Sequence, residues 1–207
     1  MPASVITYSS AISKSVKIAE IYLDTSFVID LFESVTTPSL LSNPKIRDTK
    51  NFYDFLSKSR AEMWTSYLTA EEAMFKYFRN KMGKEMANFE ISRSLPPNSL
   101  KYNDFKKKYS ADFQLSYDKV KPVFYAILLL GQKLHIKIKL PKEYSVKTVP
   151  SRGERIMQYA TALLNSYTLE VADAFHISTA RCNGTKHIAS NDLGFKQVDN
   201  ITVFSFK

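Results

Sequence analysis

Cysteine is almost absent from this chain: Cys182 is the only one in 207 residues. That excludes an internal disulfide, a CxxC redox pair and a Cys/His zinc pattern, and leads to the expectation of a reducing, cytoplasmic compartment. Long apolar runs are missing too. The longest, Val123 to Leu130 (VFYAILLL), falls far short of the ~20 residues a spanning helix needs, so a soluble protein with no membrane partner is expected. There is no internal repeat and no long low-complexity tract. Residues 1–16 (MPASVITYSSAISKSV) are Ser-rich and lack the continuous apolar core of a signal peptide, so they read as a flexible N-terminal extension, part of which could join the first strand.

What is present is enough apolar material for a core. With 44% apolar and 13% aromatic residues, residues 17–207 are expected to form a single domain carrying an insertion. Lys and Arg number 29 against 20 Asp and Glu, and the net charge of +9 suits a polyanionic partner such as nucleic acid. Much of the excess lies in residues 101–147, where eleven lysines face four acids.

Apolar spacing predicts strands and helices in alternation. Lys17 to Leu23 (KIAEIYL) reads as a strand, followed by a helix to about Glu33 that Thr25 and Ser26 can cap. Arg47 to Lys58 has helical spacing, and Met63 to Leu68 reads as a short buried strand. Thr69 and Glu72 form a TxxE capping box that opens a further helix. The pattern changes over about 81–125, read as a helical, Lys-rich insertion. Within it Tyr102, Phe105, Tyr109, Phe113 and Tyr117 recur at steps of three and four along one predicted helix. This stripe can pack on the domain or on a second subunit, or can stack unpaired bases beside Lys106, Lys107 and Lys108. An apolar helix is predicted from Pro122 to about Lys133, a half-exposed strand over His135 to Leu140, helices over Arg152 to Asn165 and Leu169 to Cys182, and strands over Lys186 to Ala189 and Ile201 to Phe204. The expected fold is therefore α/β, a three-layer α/β/α arrangement around a mostly parallel sheet.

Four acidic motifs fall where strands should end or helices begin: IYLDTS, TAEEA, VADAFH and SNDLGF. In open α/β sheets the site lies outside the carboxyl ends of the strands, where Asp24, Glu72 and Asp192 are predicted, with Asp173 near the start of a helix at the same edge. Four crowded carboxylates repel one another and raise one another's pKa unless cations separate them. Hard oxygen donors without Cys or a His pair favour Mg²⁺ or Mn²⁺. Taken singly each motif has a plainer reading as a cap, a capping box or a turn.

In this order and company, LDTSFVIDLF, SYLTAEEA, ADAFHISTA and ASNDLGF followed by ITVF resemble the PIN-domain nucleases, in particular the VapC-type ribonucleases. The resemblance covers about residues 17–80 and 126–204. It implies a PIN-like parallel sheet flanked by helices and Mg²⁺- or Mn²⁺-dependent cleavage of RNA. It assigns Asp24, Glu72, Asp173 and Asp192 as the metal-binding, catalytic carboxylates, Glu72 rather than Glu71 because of the spacing S-x-x-T-x-x-E from Ser66. Ser190 matches the hydroxyl residue that supports the metal site, Thr25 and Asn191 are further supporting candidates, and His176 is expected to pack or orient. RNA-backbone candidates are Lys76, Arg79, Lys106, Lys107, Lys108 and Arg181. The resemblance further implies a homodimer and, for a toxin, an antitoxin protein that covers the acidic cleft; an RNA-processing enzyme would need none. The insertion and the leader depart from the shorter VapC pattern. Two other readings carry less support. A metal-independent ribonuclease would have to pair His135, His176 or His187, and nothing in the sequence pairs them. A non-catalytic RNA- or protein-binding module would leave the acidic quartet without a role.

Overall fold

The computed structural model describes residues 3–122, 129, 131–139, 152–192 and 194–206, leaving the side chains of 152–154 aside. Its centre is a six-stranded, all-parallel sheet in the order β1-β6-β5-β2-β3-β4. The strands are β1 Ser4–Thr7, β2 Glu20–Leu23, β3 Glu62–Ser66, β4 Lys137–Lys139, β5 His187–Ala189 and β6 Thr202–Ser205. Between them run α1 Tyr8–Ser13, α2 Thr25–Thr36, α3 Pro44–Lys58, α4 Tyr67–Ser92, α5 Tyr102–Lys108, α6 Ser110–Val120, α7 Arg152–Ser166 and α8 Val171–Cys182. Among the described residues no helix is long and apolar enough to cross a membrane.

Period-two alternation along the central strands explains the three layers. In β2, Ile21 and Leu23 face one core while Tyr22 faces the other; in β3, Met63 and Trp64 divide in the same way, as do Ala189 and Ile188 in β5 and Phe204 and Val203 in β6. The first core is completed by Tyr8, Phe27, Leu31, Phe52, Leu56 and Ala73 from α1 to α4. The second is completed by Leu163, Ala174, Ile177 and Ala180 from α7 and α8, by Phe195 of the 3₁₀ turn Gly194–Gln197 and by Val198 just after it. Both faces of the strands are therefore apolar, as a parallel sheet covered on each side requires.

Several boundaries differ from those the sequence suggests. Residues 4–13 are not a loose extension. Ser4–Thr7 pairs in parallel with Thr202–Ser205 at the sheet edge, and Tyr8 and Ala11 of α1 are fully buried. Tyr8 stacks on Phe52 with ring centroids 4.6 Å apart, an apolar anchor that the Ser-rich composition conceals. Helix α4 starts two residues before Thr69: Ser66 is the N-cap, its Oγ accepting from the Thr69 amide at 3.1 Å. The aromatic stripe is broken at Tyr109 into α5 and α6. Most of the helix expected after Pro122, and the stretch 140–151 with its lysines, lies outside the described residues.

Helix α4 has 26 residues and so is about 39 Å long, far longer than the strand it follows. Its distal half carries the insertion as a helical arm with its own small core of Phe78, Met82, Phe89, Phe105, Phe113 and Val120. Phe105 and Phe113 of the stripe are thus packing residues, whereas Tyr102 remains 41% exposed. The return loop of the arm is clamped by Glu90, a buried carboxylate that accepts from the amides of Asn98 at 2.9 Å and Leu100 at 2.7 Å. Glu90→Ala removes an ionic acceptor from two backbone donors and is expected to cost about 2 kcal/mol locally. Amide exchange should accelerate at Asn98, Leu100 and the α5 residues while the sheet amides keep their protection. Equal acceleration in the sheet would show that the arm and the sheet unfold as one unit.

Candidate active site

The strand order places a switch point between β2 and β5. From β2 the chain moves to β3 and then β4 on one side, and the later strands β5 and β6 lie on the other. Adjacent parallel strands whose connections leave in opposite directions open a crevice at their carboxyl ends. Asp24 follows β2 there as the N-cap of α2, Ser190 and Asp192 follow β5, and α4, carrying Glu72, leaves the end of β3. Asp173 comes in from the other layer, in the first turn of α8.

Hydrogen bonds tie these groups together. The Asp24 Oδ2 accepts from Ser190 Oγ at 2.9 Å and from Ser26 Oγ at 2.9 Å. Ser190 Oγ also accepts from the Asp192 amide at 3.0 Å, so one serine fixes the first carboxylate and the backbone of the last. Glu72 Oε2 accepts from Thr25 Oγ1 at 2.6 Å and lies 3.0 Å from His176 Nε2, which is itself 3.7 Å from Asp24 Oδ1. His176 therefore bridges two of the carboxylates. The carboxylates of Asp173 and Asp192 converge beside Gly194, where an added Cβ would stand 2.9 Å from Asp173 Oδ2 and 3.4 Å from Asp192 Oδ1. A side chain at this position would occupy the gap between them.

Behind His176 sits a buried polar chain. Tyr22 OH is 2.7 Å from His176 Nδ1, 2.8 Å from Thr69 Oγ1 and 3.0 Å from Ser66 Oγ. Either protonation state of the imidazole is satisfied, because the tyrosine hydroxyl can donate to a neutral Nδ1 or accept from a protonated one. Burial and the nearby Asp24 charge push the Tyr22 hydroxyl pKa up, which keeps it protonated.

The electrostatics report the crowding. Burial, then the charges of Asp192 and Asp24, raise the Asp173 carboxyl from 3.8 to about 6. Burial disfavours the His176 cation, yet the hydrogen bond to Glu72 and the charges of Asp24, Glu72 and Asp173 outweigh it and hold the imidazole above its usual value. Burial also raises Glu72, but the hydrogen bonds from His176 and Thr25, with help from His176 and Lys76 charge, hold it below the ordinary range.

The four acids named from the sequence are thus brought to one crevice. Among the described residues, no three His, Cys, Asp or Glu side chains stand in a closed arrangement able to hold a metal ion. Glu72 is turned to Thr25 and His176, while Asp24 is held by Ser26 and Ser190. The donor chemistry fits a hard divalent cation: three aspartates in electrostatic contact, with Asp173 raised by burial first and then by the charges of Asp192 and Asp24.

Other candidates separate clearly. Thr25 contacts the crevice through its bond to Glu72, but capping of α2 belongs to Asp24. The Asn191 side chain points elsewhere, donating to Asp30 Oδ2 at 2.6 Å and accepting from Tyr8 OH at 3.0 Å, so it ties the N-terminal segment and α2 together and does not line the acids. Asp30 is further paired with Lys45 Nζ at 2.8 Å. Arg181 lies at the far end of α8 from Asp173 and donates to the Asp199 carbonyl, which engages it in structure. Lys76 acts electrostatically on Glu72, and Arg79 lies over the Phe75 ring at 5.7 Å. Lys106, Lys107 and Lys108 are exposed on the arm. Tyr22, Ser26 and Gly194 escape sequence reading. A tyrosine in a strand looks like core, Ser26 looks like a cap, and Gly194 looks like a turn residue.

The raised Asp173 pKa carries a stability consequence in metal-free buffer. A carboxyl whose folded pKa of about 6 exceeds its ordinary 3.8 stabilises the fold when protonated, fully below the lower value, and this contribution is lost as pH rises through about 6. Asp173→Asn removes the unfavourable charge. At pH 8 in EDTA it is expected to be more stable than the parent by roughly 1 kcal/mol after allowance for solvent screening, with the difference shrinking toward pH 4. Chemical denaturation at the two pH values measures this, and a less stable variant at pH 8 would contradict it.

Among known proteins, the chain matches no family model and no curated sequence.

Proposed function

We propose that the chain is a Mg²⁺- or Mn²⁺-dependent ribonuclease of the PIN type, hydrolysing phosphodiester bonds in single-stranded or loop RNA. The observation that carries this reading is the gathering of Asp24, Glu72, Asp173 and Asp192 at the switch-point crevice of a parallel sheet, with Asp173 raised by burial and then by Asp192 and Asp24. Carboxylates at such density are unfavourable for folding and are retained where a cation or a reacting group compensates them.

Asp24, Asp173, Asp192 and Glu72 would hold the cation, Glu72 exchanging its bonds to Thr25 and His176 for it. The bound ion would lower the pKa of water and offset charge on the phosphate. Ser190 donates to Asp24 and accepts from the Asp192 amide, which holds the first carboxylate and the backbone of the last beside each other. His176, anchored by Tyr22, holds Glu72 until it is needed and offsets acidic charge meanwhile. The N-termini of α2 and α8 bring the positive ends of two helix dipoles to the same crevice, which favours carboxylates and phosphate there. The excess of +9 draws a polyanion toward an otherwise acidic cleft. For a toxin, an antitoxin protein inserting a basic side chain among the four acids would block them; an RNA-processing enzyme would need none.

Asp24→Asn and Asp173→Asn should each reduce cleavage of a labelled unstructured RNA at least about a hundredfold with the circular dichroism spectrum unchanged. EDTA should abolish cleavage and Mn²⁺ restore it. Cleavage that persists in EDTA and in both variants would overturn the reading.

A further inference from the structure

The face of α4 that carries Glu72 continues into an open groove. Residues 72, 75, 79, 82 and 86 follow one another at steps of three and four, so they share one side of the helix. Past Glu72 this side borders a pocket of about 490 Å³ between α4 and the start of α5, lined by Phe75, Phe78, Arg79, Met82, Met86 and Tyr102. That volume lies within the roughly 300–1,000 Å³ usual for small organic ligands. Phe75 is 60% exposed and Tyr102 41% exposed, whereas the aromatics behind them, Phe105 and Phe113, are buried in the arm.

The rim is cationic. Arg79 lies over the Phe75 ring, Lys76 stands one residue beyond it, and Lys106 and Lys107 are exposed on α5. Among the described residues, no ion pair engages these four. Flat aromatic faces beside unpaired cations match one chemistry closely: an unpaired base for the rings and its phosphates for the charges. A second copy of the chain fits poorly, because a two-fold contact through this groove would set the same cations against themselves.

We infer that the groove between α4 and α5 is a base-stacking subsite for single-stranded RNA, in which Phe75 and Tyr102 receive the base of a nucleotide flanking the scissile phosphate while Lys76 and Arg79 hold the backbone. The seven steps from Glu72 to Arg79 span about 10 Å along the helix, so one strand can engage the groove and the acidic crevice together. This subsite rests on the ribonuclease reading for its purpose but has its own readout.

The test is fluorescence anisotropy with short fluorescein-labelled oligouridylate and oligoadenylate in EDTA, where the proposed chemistry is off. Phe75→Ala and Tyr102→Ala should each weaken binding about tenfold. Phe75→Leu, which keeps apolar bulk, should weaken it nearly as much. A probe carrying an abasic ribose at the stacked position should bind the parent as weakly as the intact probe binds Phe75→Ala, and should be indifferent to that substitution. Unchanged affinity in folded Phe75→Ala, an equal loss on every abasic probe, or a dimer in sedimentation that Phe75→Ala dissociates would overturn the subsite. RNA cleaved in Mn²⁺ with no dependence on Phe75 or Tyr102 would sink the subsite and leave the nuclease reading standing. Phe75-dependent binding with no cleavage in Mn²⁺ would do the reverse.

Discussion

Repulsion among carboxylates that share one crevice is the constraint around which this structure is arranged. Burial, and then the nearby charges of Asp192 and Asp24, lift the Asp173 pKa, and Glu72 sits beside them through His176. Such a cluster opposes folding, and the surrounding residues offset it. Ser26 and Ser190 donate to Asp24, Thr25 and His176 hydrogen-bond to Glu72, and two helix N-termini face the acids. The rest of the sheet supplies stability from apolar burial on both faces, which lets the crevice remain unfavourable without unfolding the domain.

Tyr22 connects stability with the site. Its ring lies edge-on to Trp64 in the second core, with centroids 4.9 Å apart, while its hydroxyl ends in the polar chain of Ser66, Thr69 and His176. One side chain thus joins β2, the start of α4 and α8. Because Ser66 and Thr69 belong to the cap of α4, the orientation of Glu72 one turn later is coupled to the same hydroxyl. The lever arm of α4 then carries the face of Glu72 outward into the basic insertion. The acidic crevice and the cationic groove are consecutive turns of one rigid helix, so their separation is set by helix geometry and not by loop packing.

The long-range site was legible in the sequence because parallel sheets obey a topological rule. Once KIAEIYL and KHIA are taken as strands, the acids just after them must sit at one edge, whatever lies between. The layers were legible because strands and helices alternate along the chain, and apolar strands such as IYL can then pack on both faces. Local signals misled where tertiary packing outweighed them. Thr69 begins a perfect capping box, yet Ser66 caps the helix because its hydroxyl reaches the Thr69 amide and leaves Thr69 free for Tyr22. The Ser-rich first residues read as a tail, yet Tyr8 and Ala11 fill a gap over Phe52. Asn191 read as part of the site, yet its amide serves Asp30 and Tyr8.

By itself the sequence determined an α/β chain with a basic, helical interruption and four acids positioned to meet, because alternation, charge and spacing are local properties. Only the tertiary structure decided that His176 joins Asp24 to Glu72, that Gly194 leaves room for Asp173 against Asp192, and that Phe75 and Tyr102 stay open while Phe105 and Phe113 are covered. The reason is physical: hydrogen-bond choice and exposure depend on which side chains from distant segments the fold brings within reach, and no window of the chain contains both partners.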